Sequence, residues 1–261
     1  MVLEMLFLAL LVIGLLVLAY RGAVHEFQIL QKDYDSEMNW AELLDEQLPL
    51  VIRGIPKSWT GVWSHRLTSK KSWQIYVRNN GKKFKTTWAN WLETPAPRPQ
   101  LTPESQQIIK DVSRLGMAFS NWGADGFRRW SFLPSANPAP YVFSPQQVEG
   151  VKKVFSEFAA IVATDGAPLE LWIAHEGAIP SSVQSDLVHK DPWIQTTETI
   201  PWIGEVKFIE IKLRPGNAVV IPKHWWYAVR TAEGEKSDAW FWIGEFNTPI
   251  SWIASKLARY K

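Results

Sequence analysis

Cysteine is absent from the 261 residues. That excludes a disulfide framework, a cysteine nucleophile, a zinc finger and an iron–sulfur centre, and it leaves the compartment open. No Gly-x-Gly-x-x-Gly or Walker pattern occurs, so nucleotide binding has no support. Ser181, Ser182 and Ser185 lack a Gly-x-Ser-x-Gly setting, which removes the basis for a hydrolase triad. The chain has no long Lys/Arg run and a net charge of only +2, too weak a balance to expect nucleic acid. No Asn-x-Ser/Thr sequon and no internal repeat is present.

What is present is globular composition, with 46% hydrophobic and 21% charged residues. The length fits one large domain or two small ones. Tryptophan is abundant at 16 residues. Such a surplus fits bulk in a β-rich core, and also sugar-binding, stacking or membrane-interface surfaces.

The one long apolar run is Met5 to Tyr20, extended past Glu4 by Val2 and Leu3. It reaches the lower limit for crossing a bilayer of about 30 Å. Tyr20 and Arg21 stand where an interfacial ring and a flanking charge belong. Val17-Leu18-Ala19 would also serve as a signal-peptide cleavage motif. The segment before the run carries Glu4 and no Lys or Arg, however, which favours an uncleaved anchor. The expected division is an anchor over 1–22, a juxtamembrane linker over 23–38 and a domain over 39–261. Arg21 and Lys32 follow the run, so a single-pass protein with its C-terminal domain in the cytosol is expected, held to the membrane by residues 2–20.

In the body, Asn39 to Gln47 predicts a short amphipathic helix and Leu48 to Arg53 a buried strand. Trp73 to Arg78 and Lys82 to Trp88 predict a hairpin around Asn79-Asn80-Gly81. Thr102-Pro103-Glu104 predicts a helix start running to about Leu115, and Met117 to Trp122 a strand. Ser144-Pro145-Gln146-Gln147 reads as a capping box, with Val148, Val151, Phe155, Phe158 and Val162 as the stripe of a helix reaching about Ala163. From Leu169 onward, short strands separated by Pro/Gly turns predict an antiparallel sandwich or barrel: Leu169 to Ala174, Val206 to Leu213, Ala218 to Ile221, Trp225 to Thr231 and Ala239 to Phe246. Ile250 to Tyr260 predicts a closing helix.

Lys70, Lys71, Lys82, Lys83 and Lys85 stand among Trp73, Trp88 and Trp91. Such a basic, aromatic hairpin suits nucleobases or anionic lipid head groups, and the apolar run favours lipid. Trp225-Trp226-Tyr227 and Trp240-Phe241-Trp242 alternate faces. One set of rings is expected to fill the barrel. The other is expected to line its mouth or cover a sheet face, and Trp225, Trp226 and Tyr227 are the candidate binding residues.

Ile211 to Val229 reads IKLRPGNAVVIPKHWWYAV. This stretch resembles the C-terminal half of JmjC/cupin-like domains, where a Pro-Gly-Asp turn, an apolar run to Ile-Pro and Trp-Trp-His follow one another. Leu48 to Trp59 and Leu171 to Ala174 resemble further strands of that family. The resemblance implies a mainly β chain with added helices: a jelly-roll (double-stranded β-helix, cupin-like) barrel behind one N-terminal transmembrane helix. Active members hold Fe(II) with 2-oxoglutarate, on a His-x-Asp/Glu pair and a later His. Two imidazoles and a carboxylate leave open positions for co-substrate and oxygen.

Here Tyr227 stands in the place of the later His, and Gly177 to Asp186 contains no His. Neutral tyrosine, with a reference pKa of about 10, is a poor Fe(II) ligand. His189-Lys190-Asp191 keeps the His-x-Asp spacing and supplies the weak metal candidates His189 and Asp191. His224, three residues from Tyr227, is expected to face away from it. His175-Glu176 is a poor ligand pair for the same reason, and His25 and His65 have no matching partner. Asn217 replaces the Asp of the turn, where turn chemistry tolerates either. The expected function is thus a non-catalytic binding or scaffold module at a membrane, without a cofactor and with a protein as possible partner. The alternatives are a protein hydroxylase using Fe(II) and 2-oxoglutarate through His189 and Asp191, and a Trp-rich glycan- or lipid-binding β domain.

Overall fold

A computed structural model describes residues 28–56, 71–79, 81–94, 99–105, 108, 133–134, 139–143, 149–180, 182, 184, 192–193, 201–232 and 239–247. Within them the chain is mainly β with few helices. The strands are β1 (Leu30–Asp33), β2 (Leu50–Arg53), β3 (Gln74–Asn79), β4 (Lys82–Thr87), β5 (Gln100–Leu101), β6 (Leu133–Pro134), β7 (Ala139–Phe143), β8 (Glu149–Lys153), β9 (Phe158–Gly166), β10 (Leu169–His175), β11 (Ile209–Leu213), β12 (Ala218–Pro222), β13 (Trp225–Thr231) and β14 (Ala239–Asn247). The α-helices are α1 (Trp40–Asp45) and α2 (Trp88–Glu93). Asn39 caps α1 and Thr87 caps α2, each side chain accepting a backbone N–H of the first turn.

A seven-stranded sheet runs β1-β2-β12-β9-β14-β6, with β7 also on β14. A four-stranded sheet runs β11-β10-β13-β8, and a small sheet runs β4-β3-β5. From β7 to β14 the chain passes repeatedly between the two larger sheets, and the pairings among these strands are antiparallel. This arrangement is compatible with a jelly roll.

Alternation along each strand sorts side chains into three apolar layers. Ala159, Ile161, Val219, Ile221, Phe241 and Ile243 of the large sheet meet Leu171, Ile173, Ile211, Trp225, Tyr227 and Val229 of the four-stranded sheet. The opposite face of the large sheet carries Ala160, Val162, Val220, Trp242 and Phe246. It packs under α1, α2 and the small sheet through Trp40, Leu44, Ile75, Val77, Trp88 and Trp91. The outer face of the four-stranded sheet carries Val151, Ala174, Trp226 and Ala228 beneath the segment that includes Ile179 and Val206. The aromatic triplets therefore divide as expected: Trp225, Tyr227 and Phe241 fill the space between sheets, while Trp226, Trp240 and Trp242 cover outer faces.

Two sequence expectations are corrected. The helix expected up to Ala163 is replaced by β8 and β9. Both faces of β9 are covered, so Ala159 to Ala163 read as one apolar run, and a run of that kind has no period to separate strand from helix. Residues 30–33, assigned to the linker, form β1, which pairs in parallel with β2 and places Leu30 against the core. No helix among the described residues is long and apolar enough to cross a membrane. The apolar run, the Met117 to Trp122 strand, the capping box, His25, His65, His189-Lys190-Asp191 and the closing helix all lie outside the described residues, as does most of the Thr102 to Leu115 helix.

Candidate functional site

The Arg214-Pro215-Gly216-Asn217 turn fixes the approach to β12. Gly216 adopts φ 83° and Asn217 N–H donates to the Arg214 carbonyl, as Pro-Gly at the centre of such a turn allows. The Asn217 carboxamide accepts the Gly54 N–H at 3.1 Å, tying the turn to the end of β2. Asn217 is thus a structural residue. The chain then runs through β12 and turns at Lys223-His224 into β13.

This path carries Tyr227 into the layer between the two sheets, where it is 5% exposed. Its cross-strand neighbours are Ile173 on β10 and Lys152 on β8. Lys153 faces outward, with its ammonium 5.6 Å from the Trp226 ring, so alternation puts Lys152 on the side of Tyr227. An Fe(II) centre at this place needs imidazole and carboxylate donors. The strands supply a phenol, an alkyl chain and an ammonium, and these residues do not fit the metal. Among the described residues no group of three His, Cys, Asp or Glu side chains converges.

Polar residues gather at the end of β10, His175 on the face of Trp225 and Glu176, Lys153 and His224 about the turn that follows. His175 closes the strand, its Nδ1 accepting the Gly177 N–H at 3.1 Å and its ring meeting Trp225 edge-on. Glu176 then turns to meet two cation-forming groups, the Lys153 ammonium and His224 Nδ1, the latter at 3.0 Å. His224 holds φ 68°, a left-handed conformation that histidine adopts more readily than most residues, and its carbonyl accepts the Glu176 N–H. The hydrogen bond from His224, opposed by burial and reinforced by Lys153, lowers the Glu176 carboxyl to about 2.

A depressed carboxylate pKa adds stability above its unfolded value of about 4.3, and that stability drains away as pH falls towards 2. Partial exposure of Glu176 (31%) and His224 (44%) screens the cluster. Glu176→Gln is therefore expected to cost about 1–2 kcal/mol at pH 7. The gap between variant and parent should close between about pH 4.5 and 2, as urea unfolding across that range would show.

On the outer face of the four-stranded sheet lies a cleft of about 440 Å³ lined by Trp172, Pro192, Ile203, Val206, Lys207, Phe208 and Glu210. Trp172 packs its ring on Trp193 at 5.0 Å and on Phe208 at 5.4 Å. Arg230 stacks over Trp193 at 4.9 Å while its guanidinium holds Glu170. Val206 and Phe208 also belong to the cluster around Trp226. The Trp226 indole N–H is buried with no acceptor among the described residues.

Of the sequence-chosen binding residues, Trp225 and Tyr227 are thus enclosed between the sheets and Trp226 lies behind the cleft. Lys152 and Lys153 escaped sequence reasoning because β8 reads as helix there. Glu176 was visible only as half of a poor ligand pair.

No family model matches the chain. The chain is 27% identical over 125 residues to Jumonji C domain-containing protein 5 of Drosophila melanogaster, a match covering 46% of this chain and 28% of that protein's length. That likeness hints at a JmjC/cupin-like domain, and the sheet-rich architecture is compatible with it.

Proposed function

We propose that the chain is a membrane-tethered, JmjC/cupin-like jelly roll that has exchanged its metal site for packing and acts as a binding or scaffold module. The observation that carries this reading is the setting of Tyr227: enclosed between the sheets and flanked by Ile173 and Lys152. Neither cross-strand neighbour brings the position an imidazole or a carboxylate, the donors that an Fe(II) centre needs. The passage of β7 to β14 between the two larger sheets supports the jelly-roll reading, and the Drosophila relative supports the family. Residues 2–20 supply the tether, and the domain lies on the cytosolic side.

The surface proposed to bind a partner is the aromatic cleft under Trp172 and Phe208. Its volume suits a ligand side chain or short segment, and Trp226 supports it from beneath. Lys207 and Glu210 give its rim one charge of each sign, as a polar rim around an apolar anchor site requires.

Uncoupled turnover of 2-oxoglutarate by the full chain in detergent tests the non-catalytic part. Succinate is expected at the same background as in Tyr227→Phe. Formation above that background, falling in His189→Ala, would favour the hydroxylase reading instead.

A further inference from the structure

The small sheet presents a charged face that the barrel does not use. Residues 71–92 hold five cations, Lys71, Arg78, Lys82, Lys83 and Lys85, and no Asp or Glu. Arg78 stands directly opposite Lys83 in the β3–β4 register, and Tyr76 opposite Lys85. Like charges in register destabilise a hairpin, and an anionic surface would relieve that repulsion. The one counter-charge to these cations among the described residues is Glu104, 3.1 Å from Lys83.

The sequence places Trp73, Trp88 and Trp91 with these lysines as stacking rings. The structure turns them inward: Trp88 and Trp91 are buried and Trp73 packs on the same core cluster. The ring on the outer face is Tyr76, at 37% exposure, beside Arg78, Lys83 and Lys85, while Phe84 and Lys82 share the face of Ile75 and Val77. Lys83 Nζ lies 4.7 Å from the Tyr76 ring centroid and covers a face a nucleobase would need. An exposed ring among cations suits a lipid headgroup layer better than base stacking.

The first described strand follows the proposed tether closely in the chain. Leu30 of β1 packs on the cluster that holds Ile75 and Val77 of β3. The eight peptide steps from Tyr20 to Gln28 reach at most about 28 Å.

We propose that the β3–β4 hairpin docks on an anionic phospholipid surface through Arg78, Lys83 and Lys85, with Tyr76 at the headgroup level. This rests on the membrane tether proposed above, and it orients the domain so that the opposite, four-stranded face with its cleft points to the cytosol.

The cysteine-free chain allows a clean test. Gln74→Cys, exposed on the outer face of β3, carries an environment-sensitive fluorophore in the full chain. Lys212→Cys, exposed on β11, carries the control label. The protein is reconstituted in phosphatidylcholine vesicles with or without roughly 30% phosphatidylserine, with nitroxide-headgroup lipid as quencher.

The hairpin label should shift to the blue and be quenched only with phosphatidylserine, and about 0.5 M salt should reverse both effects. Arg78→Gln with Lys85→Gln should lower the docked-to-undocked ratio about 25-fold, at about fivefold per cation. A label that responds equally in both vesicles, or in neither, overturns the proposal and leaves the lysines as guards of an edge strand. A response to single-stranded RNA without vesicles overturns it in favour of nucleic acid.

Co-flotation separates the tether from the hairpin. Flotation with phosphatidylcholine alone but a silent hairpin label sinks the docking and keeps the tether. Salt-sensitive flotation confined to phosphatidylserine vesicles, with the label responding, sinks the tether and keeps the docking.

Discussion

Trp225→Ala is expected to destabilise the domain by about 3–5 kcal/mol, a large fraction of the 5–15 kcal/mol that holds a typical domain folded. Trp225 is 1% exposed and fills the layer between the two sheets beside Tyr227, with His175 edge-on to its ring. Removing the indole opens a cavity that neighbouring β-strands cannot close, because their backbones are locked into two ladders. Trp225→Phe, which keeps most of the apolar volume, should cost about 1–2 kcal/mol. Thermal unfolding of the pair checks the contrast: the alanine variant should melt about 10 °C or more below the parent and the phenylalanine variant only a few degrees below it. Equal, small shifts would mean that this layer is not packed as described.

Glu170→Ala is expected to cost about 3 kcal/mol. Glu170 accepts from Arg230 Nε at 2.7 Å and Nη2 at 2.6 Å, across the β10–β13 pairing, with the two side chains only 13% and 19% exposed. Removing the carboxylate takes the Glu170 counter-charge from a guanidinium that is largely out of water and stacked on the Trp193 ring. Replacing both partners by apolar residues, Glu170→Met with Arg230→Met, should recover most of the loss, because the isolated charge and not the missing pair dominates the penalty. Denaturant unfolding of the single and double variants measures this. A double variant as unstable as the single one would show that the pair itself contributes the stability.

The strands from β10 onward were legible because turn residues punctuate them. Arg214-Pro215-Gly216-Asn217 and the apolar runs on either side mark the end of β11 and nearly all of β12, while β11 begins at Ile209 and not at Val206. β9 was not legible because a strand covered on both faces shows continuous hydrophobicity, and β8 was not because Val151, Phe155 and Phe158 happen to fall at helical spacing. α2 was hidden because Thr87, read as the end of a strand, is also a helix cap. β1 lay in a stretch assigned to linker because a short edge strand facing solvent carries little apolar pattern.

The departure at Tyr227 stood in the sequence. What surrounds Tyr227 did not, because its neighbours Ile173 and Lys152 are 54 and 75 positions away and only the sheet register brings them together. Glu176, Lys153 and His224 meet for the same reason. His189 and Asp191 lie outside the described residues, and the weight against a metal rests on Tyr227 and its two neighbours.

The most direct test of that exchange of metal site for packing is an anaerobic Fe(II) titration of the full chain in detergent with 2-oxoglutarate present, followed by calorimetry and by the metal-to-ligand absorption of the ternary complex. The expected result is no saturable one-to-one binding and no difference between the parent and His189→Ala. Tight one-to-one binding that is abolished by His189→Ala would contradict it and make the chain an oxygenase.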